Sequence, residues 1–372
     1  MNSKKAMICA GAAAMALIAT TSIAETTNIL YGSFAPATSN LNTKYVEPWI
    51  QEIEEASGGD ISFKFVPGGG IVDSKTAVQG LRDGVVDGVT YANVYFPTEL
   101  PVMLLMSELV GIGGSAPARA GAFMEFYLED CSSCVEEMKE LNQVILGNFA
   151  LGNYNLFCTK PVETLEDFDG LRIRATAPWS RMFGSLGDIV PVNVTITEAY
   201  EALQRGQADC HAGAPNAYFS YSFVDVADYF IETGAGAVVN AATLSLSRSM
   251  WSNLTEDQQT IVARASANAM ANGVLAYAKQ DADARQKAID LGKNVSHVST
   301  EISDALEAWK LGNVDQAIAR AEGRGIEGAR ELAERYITYL NKWEKMSAEF
   351  GNDQKMIATA YWDEIFSTLN ID

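Results

Sequence analysis

Gly170–Asp209, GLRIRATAPWSRMFGSLGDIVPVNVTITEAYEALQRGQAD, is the stretch on which the reading of the fold turns. Leu171-Arg172-Ile173-Arg174 alternates apolar and basic residues, so the two arginines share one face of a short strand and Leu171 and Ile173 take the other. A helix–strand pattern follows it. Upstream, the strand Asn28–Phe34 precedes the helix Tyr45–Ala56, with Val46, Trp49, Ile50 and Ile53 on one side. The strand Ile61–Val66, the helix Ser74–Arg82 and the strand Val85–Tyr91 complete a β-α-β-α-β unit, the pattern of a mainly parallel sheet covered by helices. Leu81–Asp87 (LRDGVVD) parallels Leu203–Asp209 (LQRGQAD): each is a helix end, a glycine and a strand start. Two related units predict an α/β protein of two lobes with a ligand cleft between them.

At 372 residues the chain is long enough for both lobes. The first, basic and then apolar, 24 residues read as a signal peptide cleaved after Ser22-Ile23-Ala24. Lobe I is expected over 25–150 plus about 238–282, and lobe II over 151–237 plus about 283–372, with the C-terminal helices on lobe II. Gln143–Cys158 reads as a strand crossing between the lobes, and Ala235–Ser247 as a second crossing, so the hinge is expected to be ordered strands. The capping box Thr255-Glu-Asp-Gln258 starts a long helix reaching roughly Lys293. From Ile302 onward the apolar period is helical throughout.

Lys and Arg number 27 against 47 Asp and Glu; loss of Lys4 and Lys5 with the leader leaves 25 against 47, a net charge of −22. Such a surface repels phosphate backbones and anionic lipid, which argues against nucleic acid or membrane-surface partners. No stretch after the leader reaches the ~20 apolar residues of a membrane span. Cys9 leaves with the leader, and Cys131, Cys134, Cys158 and Cys210 remain, an even number in an oxidising compartment. Cys131 and Cys134 can close a local loop, and Cys158 and Cys210 can join two strands of one sheet. A redox role for Cys131-Ser-Ser-Cys134 lacks its βαβ setting, and only His211 and His297 exist to complete a zinc site.

Arginine presents a planar, permanently charged fork that matches a carboxylate. Arg174 stands at the C-terminal end of its strand, where open α/β sheets place ligands, and is the candidate grip; Arg172 is the surface member. Trp179, Tyr91, Asn93 and Tyr95 are candidate walls and hydrogen-bonding groups, with Phe34, Tyr154, Gly213 and Asn240 beside them. His211 is either a hydrogen-bond donor in the cleft or, with Asp209, the acid–base pair of an exported enzyme. Enzymatic motifs do not assemble: Gly68-Gly69-Gly70 lacks the lysine of a phosphate loop, and neither a Gly-x-Ser-x-Gly elbow nor a His-Glu-x-x-His pair occurs. An acidic signalling or scaffold protein is the other alternative. No cofactor or metal is expected.

Several of these elements resemble the solute-binding proteins of tripartite ATP-independent periplasmic (TRAP) transporters, of the C4-dicarboxylate-binding type. The resemblance rests on Gly58-Gly59-Asp60-Ile61, Gln79–Asp87, Lys160-Pro161-Val162, Phe168–Arg174, Leu186-Gly187, Glu198–Gly206 with Asp209, and Trp251–Gln258. It covers most of the chain after the leader. It implies that Arg174 grips a ligand carboxylate, that two lobes close over it, and that the loaded monomer delivers it to membrane subunits. It also implies a periplasmic protein without enzymatic activity. Two departures change the expected ligand. Asn153, between Gly152 and Tyr154, stands where several relatives carry a second arginine, and His211-Ala-Gly213-Ala-Pro215 replaces a common asparagine–proline pair. A monocarboxylate, aromatic or hydroxylated, is therefore expected rather than a dicarboxylate.

Overall fold

The computed structural model describes residues 26–237 and 239–369. The expected signal peptide, with its cleavage site, lies outside the described residues. In chain order the elements begin with β1 (Thr27–Ser33), α1 (Glu47–Ala56), β2 (Ile61–Val66), α2 (Ala77–Arg82) and β3 (Gly88–Thr90). Next come α3 (Pro101–Glu108), α4 (Ala116–Glu129), α5 (Ser132–Glu140), β4 (Gln143–Ala150) and β5 (Asn155–Cys158). Then follow β6 (Arg172–Arg174), α6 (Ala177–Gly184), β7 (Val190–Val192), α7 (Ile196–Gln204), β8 (Cys210–Gly213), α8 (Ala217–Ser220) and β9 (Tyr229–Glu232). The last are β10 (Val239–Ser247), α9 (Arg248–Asn253), α10 (Glu256–Asp290), β11 (Asn294–His297), α11 (Thr300–Gly323), α12 (Ala329–Phe350) and α13 (Gln354–Tyr361).

Two sheets form, in the orders β2-β1-β3-β10-β4 and β11-β9-β5-β8-β6-β7, and each is the centre of one lobe. β1 pairs with β2 and β3 in parallel, as the upstream β-α-β-α-β pattern requires. β10 runs antiparallel between β3 and β4. All eight residues of β4 are buried, because helices cover the sheet on both faces. The crossing expected as one strand over 143–158 is two: β4 ends at Ala150 in the first sheet and β5 starts at Asn155 in the second. Residues 151–154 carry the chain from lobe to lobe.

The 35-residue helix α10 is the other connection. Its Thr255–Gln258 capping box is formed, with Gln258 N donating to Thr255 Oγ1 at 3.3 Å. Ser266 Oγ accepts from the Trp49 indole at 3.0 Å, which ties the first half of the helix to lobe I. Gly273 lets α10 approach closely there, since a Cβ would stand 2.0 Å from the ring of Tyr45. Beyond it, Ala284 and Ala288 join a lobe II cluster with Phe157, Phe223 and Phe230.

The C-terminal helices depart from expectation. α11 bridges the lobes: Ile302 and Leu306 pack in the lobe II core, while Ala317, Ile318 and Ala321 pack in the lobe I core. α12 and α13 then lie on lobe I rather than lobe II. The apolar stripe Leu332, Tyr336, Leu340 and Trp343 meets Phe123 and Phe126 of α4, and the Tyr361 hydroxyl donates to the Pro117 carbonyl at 2.9 Å. Of the expected lobe II segment 283–372, the part through Leu306 packs on lobe II and the assignment of α12 and α13 is corrected to lobe I. Helical periodicity located the stripe, but α4, equally apolar, is what it buries against.

Cys131 pairs with Cys134 and Cys158 with Cys210. The first disulfide lies at the start of α5, where Cys131 caps the helix just beyond the end of α4. The second joins directly opposed residues of β5 and β8. β11 lies between the long helix and the helical run from Ile302, where no element was expected; it pairs in parallel with β9 as an edge strand.

Candidate functional site

β6 is only three residues long, yet it fixes the site. Ile173 turns into the lobe II core, so Arg174 turns to the opposite face, toward the cleft. In parallel register Arg174 stands beside His211 of β8. Arg174 is 2% exposed. Its Nε donates to the Val194 carbonyl at 2.9 Å and its Nη2 to the Tyr95 hydroxyl at 3.1 Å. Among the described residues no carboxylate lies within ion-pair distance of it.

Tyr95 belongs to lobe I and reaches Arg174 across the cleft. Its hydroxyl also accepts from the Ile196 backbone at the start of α7, at 3.1 Å, which leaves its own proton free to donate. Near the mouth, Lys75 of lobe I and Glu198 of α7 form a further interlobe ion pair at 2.7 Å. The two lobes are thus in contact around an enclosed space.

That space is a cavity between the lobes, walled by Phe34, Tyr95, Phe149, Tyr154, Tyr221 and Tyr277. Arg174, His211, Gly213, Asn216 and Asn240 supply its polar surface. Arg174 is the one side chain with a full charge among the described residues that line it. Burial, with the Arg174 charge adding to it, pushes the pKa of His211 well below the ordinary histidine value, so its imidazole is neutral at pH 7. Among the described residues neither ring nitrogen of His211 has a hydrogen-bond partner, nor has Asn240 Oδ1.

Behind the wall, Asp281 of α10 accepts from the Asn216 backbone at 2.8 Å and from its Nδ2 at 3.0 Å. Burial raises the Asp281 pKa to about 6 in spite of these bonds. The long helix thereby holds one cavity-lining residue of lobe II.

Of the residues singled out from sequence, Phe34, Tyr95, Tyr154, Arg174, His211, Gly213 and Asn240 come together around this cavity. Four do not. Tyr91 points into lobe I, where its hydroxyl donates to Gln143 Oε1 at 2.6 Å. Asn93 is turned to α3, with Nδ2 donating to the Met103 carbonyl and Ser107 Oγ. Trp179 is buried a layer deeper, stacked on Tyr154 at 4.3 Å between ring centroids. Asn153 is exposed in the interlobe link. Phe149, Tyr221 and Tyr277 are the lining aromatics that no motif marked; Tyr277 sits on α10, whose length points to a hinge and not to a wall.

Asp209 does not join His211 as an acid–base pair. Its carboxylate takes Arg172 Nε at 3.0 Å and Nη2 at 2.6 Å, beside the same two strands but two residues along. Burial opposes ionisation of Asp209, yet the Arg172 hydrogen bonds outweigh it and hold the pKa below the usual carboxylate value.

A family model described as bacterial extracellular solute-binding protein, family 7, matches residues 31–321. A solute-binding protein of Chromohalobacter salexigens is 24% identical over 265 residues, 69% of this chain and 75% of its own length. The sialic acid-binding periplasmic protein of Vibrio cholerae is 24% identical over 224 residues, 57% of this chain and 65% of that one. Among solved structures, a TRAP solute-binding protein of Rhodoferax ferrireducens in complex with copurified benzoate superposes with a TM-score of 0.76 at 20% identity. That superposition covers 87% of this chain and 100% of the other.

Proposed function

Because the chain belongs to the bacterial extracellular solute-binding proteins of family 7, the TRAP type, we propose that it captures a small monocarboxylic acid between its lobes and presents it to the membrane subunits of a TRAP transporter. The observation that carries this reading is Arg174, a 2%-exposed guanidinium with no acidic partner among the described residues, on the wall of a cavity. Burying a charge without a counter-charge is costly, and an anion entering the cavity supplies the missing one. One cation and no acid line the cavity, so a single carboxylate neutralises it; a second would stay buried and unpaired. The aromatic walls suit a flat or ring-bearing acid, in keeping with the benzoate of the Rhodoferax structure, whereas the sialic acid of the Vibrio protein asks for far more polar contact.

In this reading Arg174 grips the carboxylate, Tyr95 carries the contact across the cleft, and lobe closure excludes water. The role is binding without turnover. The basic and apolar start of the chain supports export to the periplasm, and the net charge of −20 supports a protein that stays off anionic membrane surfaces except at its receptor. Thermal unfolding of the intact mature chain with a panel of small acids tests it. Aromatic monocarboxylates are expected to raise the melting temperature in proportion to their affinity, with no acid consumed. Failure of every acid to stabilise the protein, or turnover of one, overturns the reading.

A further inference from the structure

His211 lies fully buried with no hydrogen-bond partner on either ring nitrogen. Its position is built, not incidental: the ring lies against Phe223 at 4.3 Å and Phe157 at 6.0 Å between centroids, on the strand beside Arg174. A Cβ at Gly213 would stand 2.6 Å from Nε2, so only glycine fits beside that nitrogen, and both residues line the cavity.

A neutral imidazole carries one N–H and one lone pair whichever tautomer it adopts. Arg174 has only donors, and an ionised carboxylate has only acceptors. A bare carboxylate therefore satisfies Arg174 and the imidazole N–H but leaves the other nitrogen without a donor. A buried acceptor left unpaired weakens binding, and a site built around it discriminates against ligands that cannot fill it. We propose that the acid held beside Arg174 also bears a hydroxyl group, and that this hydroxyl donates its proton in a hydrogen bond to His211. The ligand class is then a hydroxylated carboxylic acid. The inference rests on the organic-acid reading above and narrows it. The depressed His211 pKa supports it, since a protonated ring would offer two donors and no acceptor.

Titration calorimetry at pH 7.5 on the intact mature protein tests this with matched pairs: benzoate against 2- and 3-hydroxybenzoate, and phenylacetate against mandelate. At least one hydroxylated acid is expected to bind about tenfold or more tightly than its partner. His211→Phe keeps a ring among Phe157 and Phe223 but has no acceptor, and the preference should fall to within about twofold, whatever the absolute affinities. His211→Gln, which restores an acceptor, should recover part of it. Wild-type affinities that are equal within every pair overturn the inference, as does a preference that survives His211→Phe. The wild-type ratio decides even where the variants fold poorly. No binding by any acid of the panel overturns the parent reading instead, and this one with it.

Discussion

Two rungs of one strand pair, β6 beside β8, hold arginines that end in opposite circumstances. At the outer rung Arg172, with 42% of its side chain exposed, meets the carboxylate of Asp209 through two side-chain hydrogen bonds, with Lys160 at 3.7 Å. At the inner rung Arg174 stands beside His211, a neutral ring, and donates to a carbonyl and a hydroxyl. The exposed arginine has the acid and the buried one has none. Desolvation argues for the reverse, because a guanidinium deprived of water needs a counter-charge more. The outer rung is a complete ion pair, and the acid missing from the inner rung is what the carboxylate proposed above would supply.

Removing the inner charge has the largest expected effect. Arg174→Ala should weaken acid binding about 1,000-fold, roughly 4 kcal/mol, and erase ligand-induced stabilisation, while the unliganded protein keeps its melting temperature or gains. Calorimetry and thermal unfolding on one preparation check both halves. Next, His211→Asp turns the inner rung into a copy of the outer one. The new carboxylate occupies Arg174, and affinity should drop about 100-fold with no loss of fold, read by calorimetry beside circular dichroism.

Asp209→Asn acts on the other side of the comparison and should leave acid binding alone. It is expected to lower unfolding stability by about 1 to 2 kcal/mol at pH 7. Since Asp209 has a depressed pKa in the fold, its contribution is present above the unfolded value of about 3.9 and is lost as pH falls through the folded value. Urea unfolding curves of wild type and variant should therefore converge toward pH 3. The smallest effect is that of His211. Its folded pKa lies below the unfolded value, so the unfolded chain takes up a proton that the native state does not as pH falls below about 6.5. Relative to His211→Phe, wild-type stability should decline by about 1 kcal/mol between pH 6.5 and 5.5.

Alternation within Leu171–Arg174 was enough to put both arginines on one face, and capping chemistry was enough to start α10 at Glu256. Those are local signals with short range. The β-α-β-α-β order and the Cys131–Cys134 loop were legible for the same reason, whereas Cys158 and Cys210, 52 residues apart, were matched by the even cysteine count and their strand settings. What stayed hidden depends on contacts distant in sequence. Tyr91 and Asn93 follow a strand end where ligand groups often sit, yet Gln143, 52 residues on, and Ser107 of α3 draw them into lobe I. Trp179 lies within the deciding stretch, but Tyr154 stands in front of it. The stripe on α12 gave no hint of which lobe would bury it, because an apolar face specifies burial and not an address.

β10 lies between β3 and β4 in the first sheet, though it follows them in the chain by the whole of β5 to β9. A nascent chain shorter than 247 residues thus holds two separated pieces of a sheet and no wedge to join them. Nor is the lobe finished then, since α12 and α13 come last of all and cover α4. Long-range pairing of this kind is slow, and it leaves apolar strand edges waiting. The first lobe consequently cannot be completed until synthesis of the chain is nearly over.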